Sequence, residues 1–363
     1  MKIAYLGQMA NVATENSISK KIRSQTTKWQ QLGHTVKYFT LAPTINVWPG
    51  LAGAEPFLLL KRNPWEWAVN SVRLCKHIYL WAPDIIYLRY ANHAPGLPSL
   101  FRSIPTVAEI NSDDTTEYAL TLSPYKNLYH NLTRNRVLRS VGALLPVTNE
   151  LASRLAHFAK PTLTIGNSID LAGFPHQSSG PASDTRLVFI GSHGAPWHGL
   201  DRLAELARLL HSIKIDVVGY TPEEWRSENL SNGGGRLRLH GPMRRAGYES
   251  LLSQATAAIG TLGLYRKHMD EACPLKAREY LALGLPVIGA YQDTDIPPDA
   301  DYFLRLPNNS ESLAPWRDRI STFIEYWRTR RVPRSAIAHL DVSVKEAQRL
   351  AFMEKILAVF RHA

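Results

Sequence analysis

Glu271 and Glu279 stand eight positions apart, and between them the sequence predicts the start of a short helix. Lys276 falls in the first turn of that helix, three residues before Glu279. Pro274 suits the first helical position, where its missing N–H leaves no bond unmade, and Gly284 suits the left-handed position that ends a helix. Residues three apart on a helix project from the same face, so the Lys276 ammonium group and the Glu279 carboxylate are predicted to lie side by side.

This arrangement of charges could bind a nucleoside diphosphate. The first turn of a helix presents free N–H groups and about half a positive charge, which attract an anion, and Lys276 adds a full charge. The Glu279 carboxylate could accept hydrogen bonds from both hydroxyls of the adjoining ribose, and Glu271 would face the group beyond the diphosphate. A surface ion pair between Lys276 and Glu279, worth about 0.2–0.5 kcal/mol, explains the same spacing. Spacing alone leaves both interpretations open.

Length and composition are typical of a globular protein with two domains. The chain has 363 residues, a length greater than one hydrophobic core usually holds. Of these residues 45% are apolar and 20% are charged, as in soluble globular proteins. Two distant cysteines, Cys75 and Cys273, favour a reducing compartment, so we expect a cytoplasmic protein. The net charge is +11, of which +8 lies in residues 1–170. This excess favours an anionic partner such as phosphate, nucleic acid or an acidic membrane, with solvated surface charge as the alternative.

The elements that would position these residues alternate between apolar runs and amphipathic segments. Uniformly apolar runs predict parallel strands that are covered on both faces. They occur in two series: Ile3–Leu6, Val36–Phe39, Ile85–Leu88, Thr106–Glu109 and Ala143–Val147, then Leu187–Ile190, Ile215–Val218, Leu237–His240, Ala257–Thr261 and Val287–Ala290. The repeated alternation predicts an α/β protein with two doubly wound domains. The polar segment 175–186, rich in Pro, Gly and Ser, predicts the linker between them.

Several segments, in order along the chain, resemble motifs of retaining GT-B glycosyltransferases, in particular glycosyltransferase family 4. The stretch EACPLKAREYLALGLPVIG, together with the glutamate that opens it, resembles their E-x7-E signature and the strand that follows. The other matching segments are KIAYLGQ, WQQLGHTVKYFT, PDIIYLR, LLPVTNELASRL, IGNSIDLAGF, RLVFIGSHGAPWHGLDRLAEL and LRLHGPM. The ordered set covers nearly the whole chain.

The resemblance implies a GT-B fold, in which two Rossmann-like domains face each other across a cleft and the last helix returns to the first domain. The implied parts are an acceptor-binding domain, a linker, a domain that binds the nucleotide sugar and a terminal helix, at 1–172, 173–185, 186–342 and 343–363. The implied reaction moves a hexose-type sugar from a nucleotide diphosphate sugar to a saccharide or lipid-linked acceptor, with retention, in polysaccharide or glycolipid synthesis. Such a hexosyltransferase requires no metal and no cofactor beyond its donor.

The resemblance also assigns roles to the residues of the quoted stretch. Glu279 would bind the donor ribose, and Glu271 would lie by the donor sugar and the diphosphate. Backbone amides at Cys273, Leu275 and Lys276 would lie at the diphosphate. These positions make the amino end of the helix the expected donor site.

Glycines and cations elsewhere complete the implied donor site. Gly7 and Gly191 would let the backbone approach the substrates closely, and Gly241 lies in the turn that passes the nucleotide base. The family commonly has an arginine and a lysine where this chain has Ser192 and His198. The candidates to replace that positive charge are His198, most strongly if protonated, Arg266, Lys267 and Lys276.

Acceptor residues are expected after the predicted strand Thr106–Glu109, since open α/β sheets bind ligands at the carboxyl ends of their strands. The polar side chains there are Glu109, Asn111, Asp113 and Asp114. Asn111 and Asp113 are the favoured catalytic residues, because the family often has a polar residue here near the reacting face of the sugar. A helix cap formed by Ser112 or Asp113 explains the same pattern.

Three signals have competing interpretations. The segment 124–140 interleaves basic residues with tyrosines and leucines, which suits a helix on an anionic membrane at the inner face of the cell, or a helix packed on its own sheet. Asp293–Asp295 resembles a metal-binding D-x-D pair, but its context favours a polar turn. The alternative functions are a nucleotide-sugar epimerase of the same fold and a basic nucleic-acid-binding protein. We find no nucleic-acid recognition motif and expect no such partner.

Overall fold

The computed structural model describes residues 1–7, 16–42, 55–90, 92–175, 185–228, 230 and 235–362. The chain folds into two compact units. The first unit comprises Met1–Ser168 and the residues from Val342 onward, and the second comprises Ile169–Asp341. The chain therefore leaves the first unit once and returns to it with its last helix. The predicted linker 173–185 lies mostly outside the described residues.

Parallel strands form the centre of both units. In the first unit they are β1 Lys2–Leu6, β2 Thr35–Ala42, β3 Glu55–Leu60, β4 Ile85–Arg89, β5 Thr106–Ile110 and β6 Ala143–Pro146. In the second unit they are β7 Arg186–Ile190, β8 Lys214–Val218, β9 Leu237–Leu239, β10 Ala257–Ile259, β11 Glu271–Ala272, β12 Val287–Gly289, β13 Gln292–Asp293 and β14 Phe303–Arg305.

Helices connect the strands and cover the sheets. Before β7 the helices are α1 Ser17–Gln31, α2 Pro64–Trp81, α3 Leu97–Ser103, α4 Asp114–Thr121, α5 Pro124–Ser140 and α6 Asn149–Leu155. After β7 they are α7 Leu200–Leu209, α8 Pro222–Ser227, α9 Arg245–Gln254, α10 Leu275–Ala282, α11 Arg317–Trp327 and α12 Val342–His362, of which α12 belongs to the first unit. No helix in the described part of the chain combines the length and the apolar character that crossing a membrane requires.

Each unit contains one six-stranded sheet in which all registered pairs are parallel. The orders are β3-β2-β1-β4-β5-β6 and β14-β12-β10-β7-β8-β9. In both sheets the order reverses next to the first strand, which opens a crevice at the carboxyl ends of the strands. β11 and β13 form a separate parallel pair. The prediction of two doubly wound α/β domains is therefore confirmed.

The sheet faces are buried because most residues of their strands are apolar. On one face of the first sheet, Tyr5, Tyr38 and Tyr87 lie in register on neighbouring strands, with the rings of Tyr5 and Tyr87 5.1 Å apart. This face packs against α1 and α12, from which Trp29 and Met353 join the same core. The terminal helix is thus part of the first unit's core.

The helix of the quoted stretch begins one residue later than predicted. Pro274 is its N-cap in extended conformation, and α10 runs from Leu275. The difference follows from the backbone of Pro274, whose ψ of 136° is not helical. Gly284 has a φ of +82°, as expected for the residue that stops a helix.

Candidate active site

The carboxyl edge of the second sheet gathers most of the residues that were predicted to bind a donor. The first turn of α10 meets the end of β7, where the Lys276 ammonium group donates to the Ile190 carbonyl at 3.1 Å. The loop after β10 joins them, since the Leu262 N–H donates to the His198 carbonyl at 3.2 Å. Ligands of open α/β sheets bind at this edge, so we take it as the candidate site.

Aromatic side chains hold α10 in place. The Ile190 N–H donates to the Tyr280 hydroxyl at 2.9 Å, which ties the middle of α10 to the end of β7. The Tyr248 hydroxyl of α9 donates to Glu279 Oε2 at 3.3 Å, and Glu279 is buried. One turn earlier, the Lys276 ammonium nitrogen lies 4.3 Å from the centre of the Phe189 ring.

Lys276 is held without a neutralising carboxylate among the residues that the structure describes. Its contacts there are the Ile190 carbonyl and the Phe189 ring, so the i,i+3 ion pair with Glu279 that the spacing also allowed is not formed. Burial lowers the pKa of Lys276 to about 7, because the charged form loses its hydration. An anion that reaches this nitrogen would restore the charge.

The loop after β7 packs tightly around a bare glycine. A Cβ atom at Gly191 would lie 2.7 Å from ring carbons of Phe189 and Tyr220 and 3.0 Å from His198 Nδ1. The Ser192 N–H donates to His198 Nδ1 at 3.4 Å, and the Tyr220 hydroxyl donates to the Ser192 carbonyl at 2.5 Å. These close contacts with the protein's own side chains explain why glycine occupies position 191. The approach of a substrate to this backbone stays a prediction.

His198 differs from the expectation of a protonated phosphate ligand. Burial, together with the nearby charge of Lys276, lowers the pKa of His198 to about 2, so its ring is neutral at physiological pH. The described residues contact His198 at Nδ1, with the Ser192 N–H at 3.4 Å and the Tyr220 hydroxyl at 3.0 Å. His198 therefore offers a ligand a neutral ring and cannot supply a positive charge.

Arg266 and Lys267, which follow β10, contact the loop after β7 and the start of α7. The Arg266 guanidinium donates to the Pro196 carbonyl at 2.9 Å and to Asp201 Oδ2 at 2.7 Å. Lys267 is buried, with its ammonium nitrogen 4.5 Å from the centre of the Trp197 ring. Both cations brace the loop that carries His198, which leaves Lys276 as the cation at the end of β7.

Gly241 follows β9 and contacts the turn after β8. Its φ is +67°, a conformation that favours glycine, and the Gly219 N–H donates to its carbonyl at 2.8 Å. An added Cβ would meet only Thr221 Cγ2, at 3.7 Å. The turn therefore leaves open backbone at the sheet edge, where the resemblance places the base.

Glu271 and Cys273 precede α10 on a loop that a buried ion cluster fixes. Glu271 is partly exposed, and its backbone pairs in register with Gln292. The Arg278 guanidinium, with no exposed side-chain surface, donates to Asp293 at 2.7 Å, to Asp295 at 3.0 Å and to the Cys273 sulfur at 2.7 Å. The loop that presents Glu271 is thereby tied to α10.

Both aspartates of the D-x-D pair belong to this ion cluster. Ligand atoms of Cys273, Asp293 and Asp295 lie within 4.8 Å of one another, a spacing that a metal ion could use. Arg278 donates to all three, so its guanidinium takes the position that a cation would need. We interpret these residues as a structural ion cluster.

The predicted acceptor residues lie in the first unit, at the carboxyl edge of its sheet. Asp113 caps α4 by accepting from the Thr115 and Thr116 N–H groups, and it also pairs with Arg154. The helix-cap interpretation of Asp113 is therefore realised. Asn111 Oδ1 accepts from Lys21 at 3.2 Å and from Arg89 at 3.3 Å. Gly7 follows β1 at the same edge, where its N–H donates to the Phe39 carbonyl.

Sequence reasoning missed Tyr220, Tyr248, Tyr280 and Arg278. Tyr280 directly follows Glu279 on α10, and its contact with Ile190 could not be predicted from the helix alone. Tyr220 and Tyr248 come from parts of the sequence far from α10, and no local pattern marks them. A buried arginine on the apolar face of a short helix was the one available signal, because such a charge requires partners.

Comparison with known proteins supports the fold. The chain matches no protein-family model and no curated protein sequence. Among solved structures, it is similar to sucrose-phosphate synthase from Thermosynechococcus elongatus, with a TM-score of 0.68, 15% identity and coverage of 100% of this chain and 99% of that one. It is also similar to the lipopolysaccharide outer core galactosyltransferase WaaB, with a TM-score of 0.66, 12% identity and coverage of 98% and 99%.

A third similar structure is UDP-GlcNAc 2-epimerase from Neisseria meningitidis bound to UDP-GlcNAc, with a TM-score of 0.59, 12% identity and coverage of 98% of this chain and 100% of that one. Likeness over the full length of transferase structures shows that the two units belong to the GT-B fold. At these identities the likeness shows the fold alone, and function has to be argued from the site.

Proposed function

We propose that the protein is a glycosyltransferase that moves a sugar from a nucleoside diphosphate sugar to an acceptor hydroxyl. The observation that carries this proposal is the first turn of α10, at the carboxyl edge of a doubly wound sheet. There the Lys276 ammonium group, which has no carboxylate partner among the described residues, lies one turn before the Glu279 carboxylate. The epimerase neighbour binds UDP-GlcNAc, and the WaaB neighbour is a galactosyltransferase, which supports a nucleotide-sugar donor.

The proposed reaction relies on positioning and electrostatics. Lys276 and the N–H groups of the first turn stabilise the charge that develops on the departing diphosphate, and His198 contributes a neutral imidazole. Glu279 accepts from the ribose hydroxyls, and Glu271 contacts hydroxyls of the transferred sugar. Asn111 contributes on the acceptor side, whereas Asp113 is committed to its helix cap and Arg154.

The finer assignments are also proposals. The order of motifs supports a family 4 enzyme that transfers a hexose with retention, without a metal, and that serves polysaccharide or glycolipid synthesis in the cytoplasm. The acceptor is a saccharide or a lipid-linked saccharide. α5 supports peripheral attachment to the inner face of an anionic membrane, since it exposes Leu128 and Leu132 beside basic residues.

A thermal-shift panel of UDP-, GDP- and ADP-sugars tests the proposal. The best donor should raise the melting temperature of the wild type, and Glu279→Ala should abolish that shift because the ribose loses its acceptor. Glu325→Ala, an exposed glutamate on α11 of the same unit, is the matched control and should keep the shift. An unchanged shift in Glu279→Ala would remove Glu279 from the donor site.

A nucleotide-sugar epimerase is the second candidate, because one similar structure is an epimerase. The two functions differ in their need for an acceptor. An epimerase converts the bound nucleotide sugar when it is incubated alone, whereas a transferase gives only slow hydrolysis until an acceptor is added. NMR of the donor sugar incubated with the protein distinguishes them.

A further inference from the structure

The carboxyl edge of the first sheet holds a buried cluster of charges that the donor site does not use. Glu109 Oε1 lies 2.6 Å from the Lys21 nitrogen, and Glu109 Oε2 lies 3.0 Å from Arg89 Nη1. Arg349 is 3.8 Å from Glu109 and also pairs with Glu346. The cluster therefore contains three cations and two carboxylates, and one positive charge has no partner within it.

Only Arg89 brings that charge to the surface. The side chains of Lys21, Glu109 and Arg349 are at most 1% exposed, whereas 15% of the Arg89 side chain is exposed. Burial opposes the charged form of Glu109, but the three cations outweigh burial and hold the pKa of Glu109 well below its usual value. All three cations share Glu109, and Arg89 is the one among them that reaches the surface.

Arg89 has two guanidinium donors, Nε and Nη2, in the arrangement that binds an acidic group side-on. Its Nη1 donates to Glu109 Oε2 and to Asn111 Oδ1. Within the described ranges, neither Nε nor Nη2 of Arg89 has a hydrogen-bond acceptor. These two groups point the same way on a planar guanidinium and match the two oxygens of a carboxylate or phosphate. Asn111 and Glu109 fix the orientation of that fork.

The surroundings of Arg89 include a second unused donor. Gly7 lies one residue beyond the pairs Leu6↔Phe39 and Leu6↔Leu88, which puts it in the row of Arg89 on the sheet. A Cβ at Gly7 would lie 3.2 Å from the Tyr38 hydroxyl. That hydroxyl is fully buried and has no hydrogen-bond partner in the part of the chain that the structure describes, although Thr40 is a polar neighbour.

We propose that this edge of the first unit binds an acidic group of the acceptor, with Arg89 as its bidentate donor. The proposal rests on the proposed transferase function and narrows the acceptor class to saccharides that carry a carboxylate or a phosphate. A neutral acceptor would leave the excess charge of the cluster and the Arg89 fork uncompensated beneath it. An acidic acceptor removes both costs.

Saturation-transfer NMR on the full chain tests this site with D-glucuronate, D-glucose 6-phosphate and D-glucose, with and without UDP to occupy the diphosphate site of the second unit. The wild type should bind at least one acidic sugar more tightly than glucose, and the preferred acid identifies the group as carboxylate or phosphate. Arg89→Gln should weaken the acidic sugar about 10- to 100-fold, as expected for a charge-assisted hydrogen bond, and should leave glucose unchanged.

Two variants keep the result interpretable. Arg89→Lys retains the charge without the fork and should recover part of the preference for acid. Arg102→Gln is the control and should behave as the wild type. It removes an exposed charge at the end of α3, just before the amino end of β5, whereas Arg89 lies at the carboxyl edge of the sheet. Equal binding of glucose and the acids, or a preference that survives Arg89→Gln, would overturn the proposal. The rise in melting temperature with a nucleotide sugar, measured separately, reports on the donor site. It therefore distinguishes failure of this proposal from failure of the proposed transferase function.

Discussion

We expect Lys276 to couple binding of the proposed donor to protonation. Its nitrogen has a carbonyl and an aromatic ring as contacts, and burial lowers its pKa to about 7. A diphosphate placed beside it favours the ammonium form, so the pKa of Lys276 must be higher in the donor complex than in the free protein. Between these two pKa values, binding of the donor takes up a proton.

We therefore expect donor affinity to be level below about pH 7 and to fall by up to about tenfold per pH unit above it. The sign follows because the free protein loses the Lys276 proton first as the pH rises. Isothermal titration calorimetry with the nucleotide sugar, in buffers that differ in ionisation enthalpy, measures the proton uptake directly. The diphosphate diester of a nucleotide sugar does not itself titrate in this range.

Lys276→Met should bind the donor weakly at every pH and without proton uptake, whereas Lys355→Met, an exposed lysine of α12, should keep the wild-type profile. The coupling is disproved if the wild type binds equally well on both sides of neutrality. His198 does not interfere with this measurement, because it stays neutral throughout.

Single residues could be predicted where their role depends on neighbours in sequence. Lys276 and Glu279 share one helix, and their positions follow from its period. The protonation of His198 could not be predicted, because it depends on burial and on Lys276, which is 78 positions away. Arg278 likewise meets Asp293 and Asp295 only after β11 and β13 have paired.

At the scale of elements, most strands could be predicted from apolar runs. β1, β4, β5 and β7 lie inside their sheets and consist mostly of apolar residues, which is why sequence reasoning found them. Of the four edge strands, β6 and β9 were also predicted, whereas β3 and β14 were missed. β3 contains a proline and β14 has only three residues, so neither segment has the pattern typical of a strand.

α5 presents a stripe of exposed side chains whose composition suits a membrane surface. His130, Thr133 and Val137 face the unit's interior. On the opposite side, the exposed positions that fall on one stripe of the helix are Tyr125, Leu128, Tyr129, Leu132, Arg136 and Arg139. Arg134 of the same helix does not belong to this stripe, since it pairs with the buried Asp114 at 2.8 Å.

Leu132→Glu tests whether this stripe binds membranes. The Leu132 side chain is 68% exposed, so the change should not alter stability, but a charge there opposes insertion between lipids. We expect binding to phosphatidylglycerol vesicles to weaken about 10- to 100-fold, from the loss of about 1.5–3 kcal/mol of apolar burial. Val359→Glu on α12, at 66% exposure, is the matched control. Equal sedimentation of the two variants with vesicles would exclude α5 as the contact.

At the scale of the whole molecule, the first unit is completed only by the end of the chain. Glu346 of α12 accepts from the Trp29 ring N–H at 3.0 Å and from the Ser168 hydroxyl at 3.0 Å, and it pairs with Arg349. Trp29 and Glu346 are 317 positions apart, with the entire second unit between them in sequence. The first sheet therefore acquires its last covering helix after the second unit has been synthesised.

Glu346→Ala should consequently destabilise one unit and spare the other. The change leaves the Arg349 charge and the Trp29 N–H buried with fewer partners, a defect that costs about 3–5 kcal/mol. Hydrogen exchange followed by mass spectrometry should show faster exchange in β1 and β5 of the first unit, with β7 and β8 of the second unit unchanged. Glu354→Ala, an exposed glutamate on the same helix, should leave both units protected. Uniform loss of protection in all four strands would mean that the units unfold as one, and that α12 stabilises the whole molecule instead of the first unit.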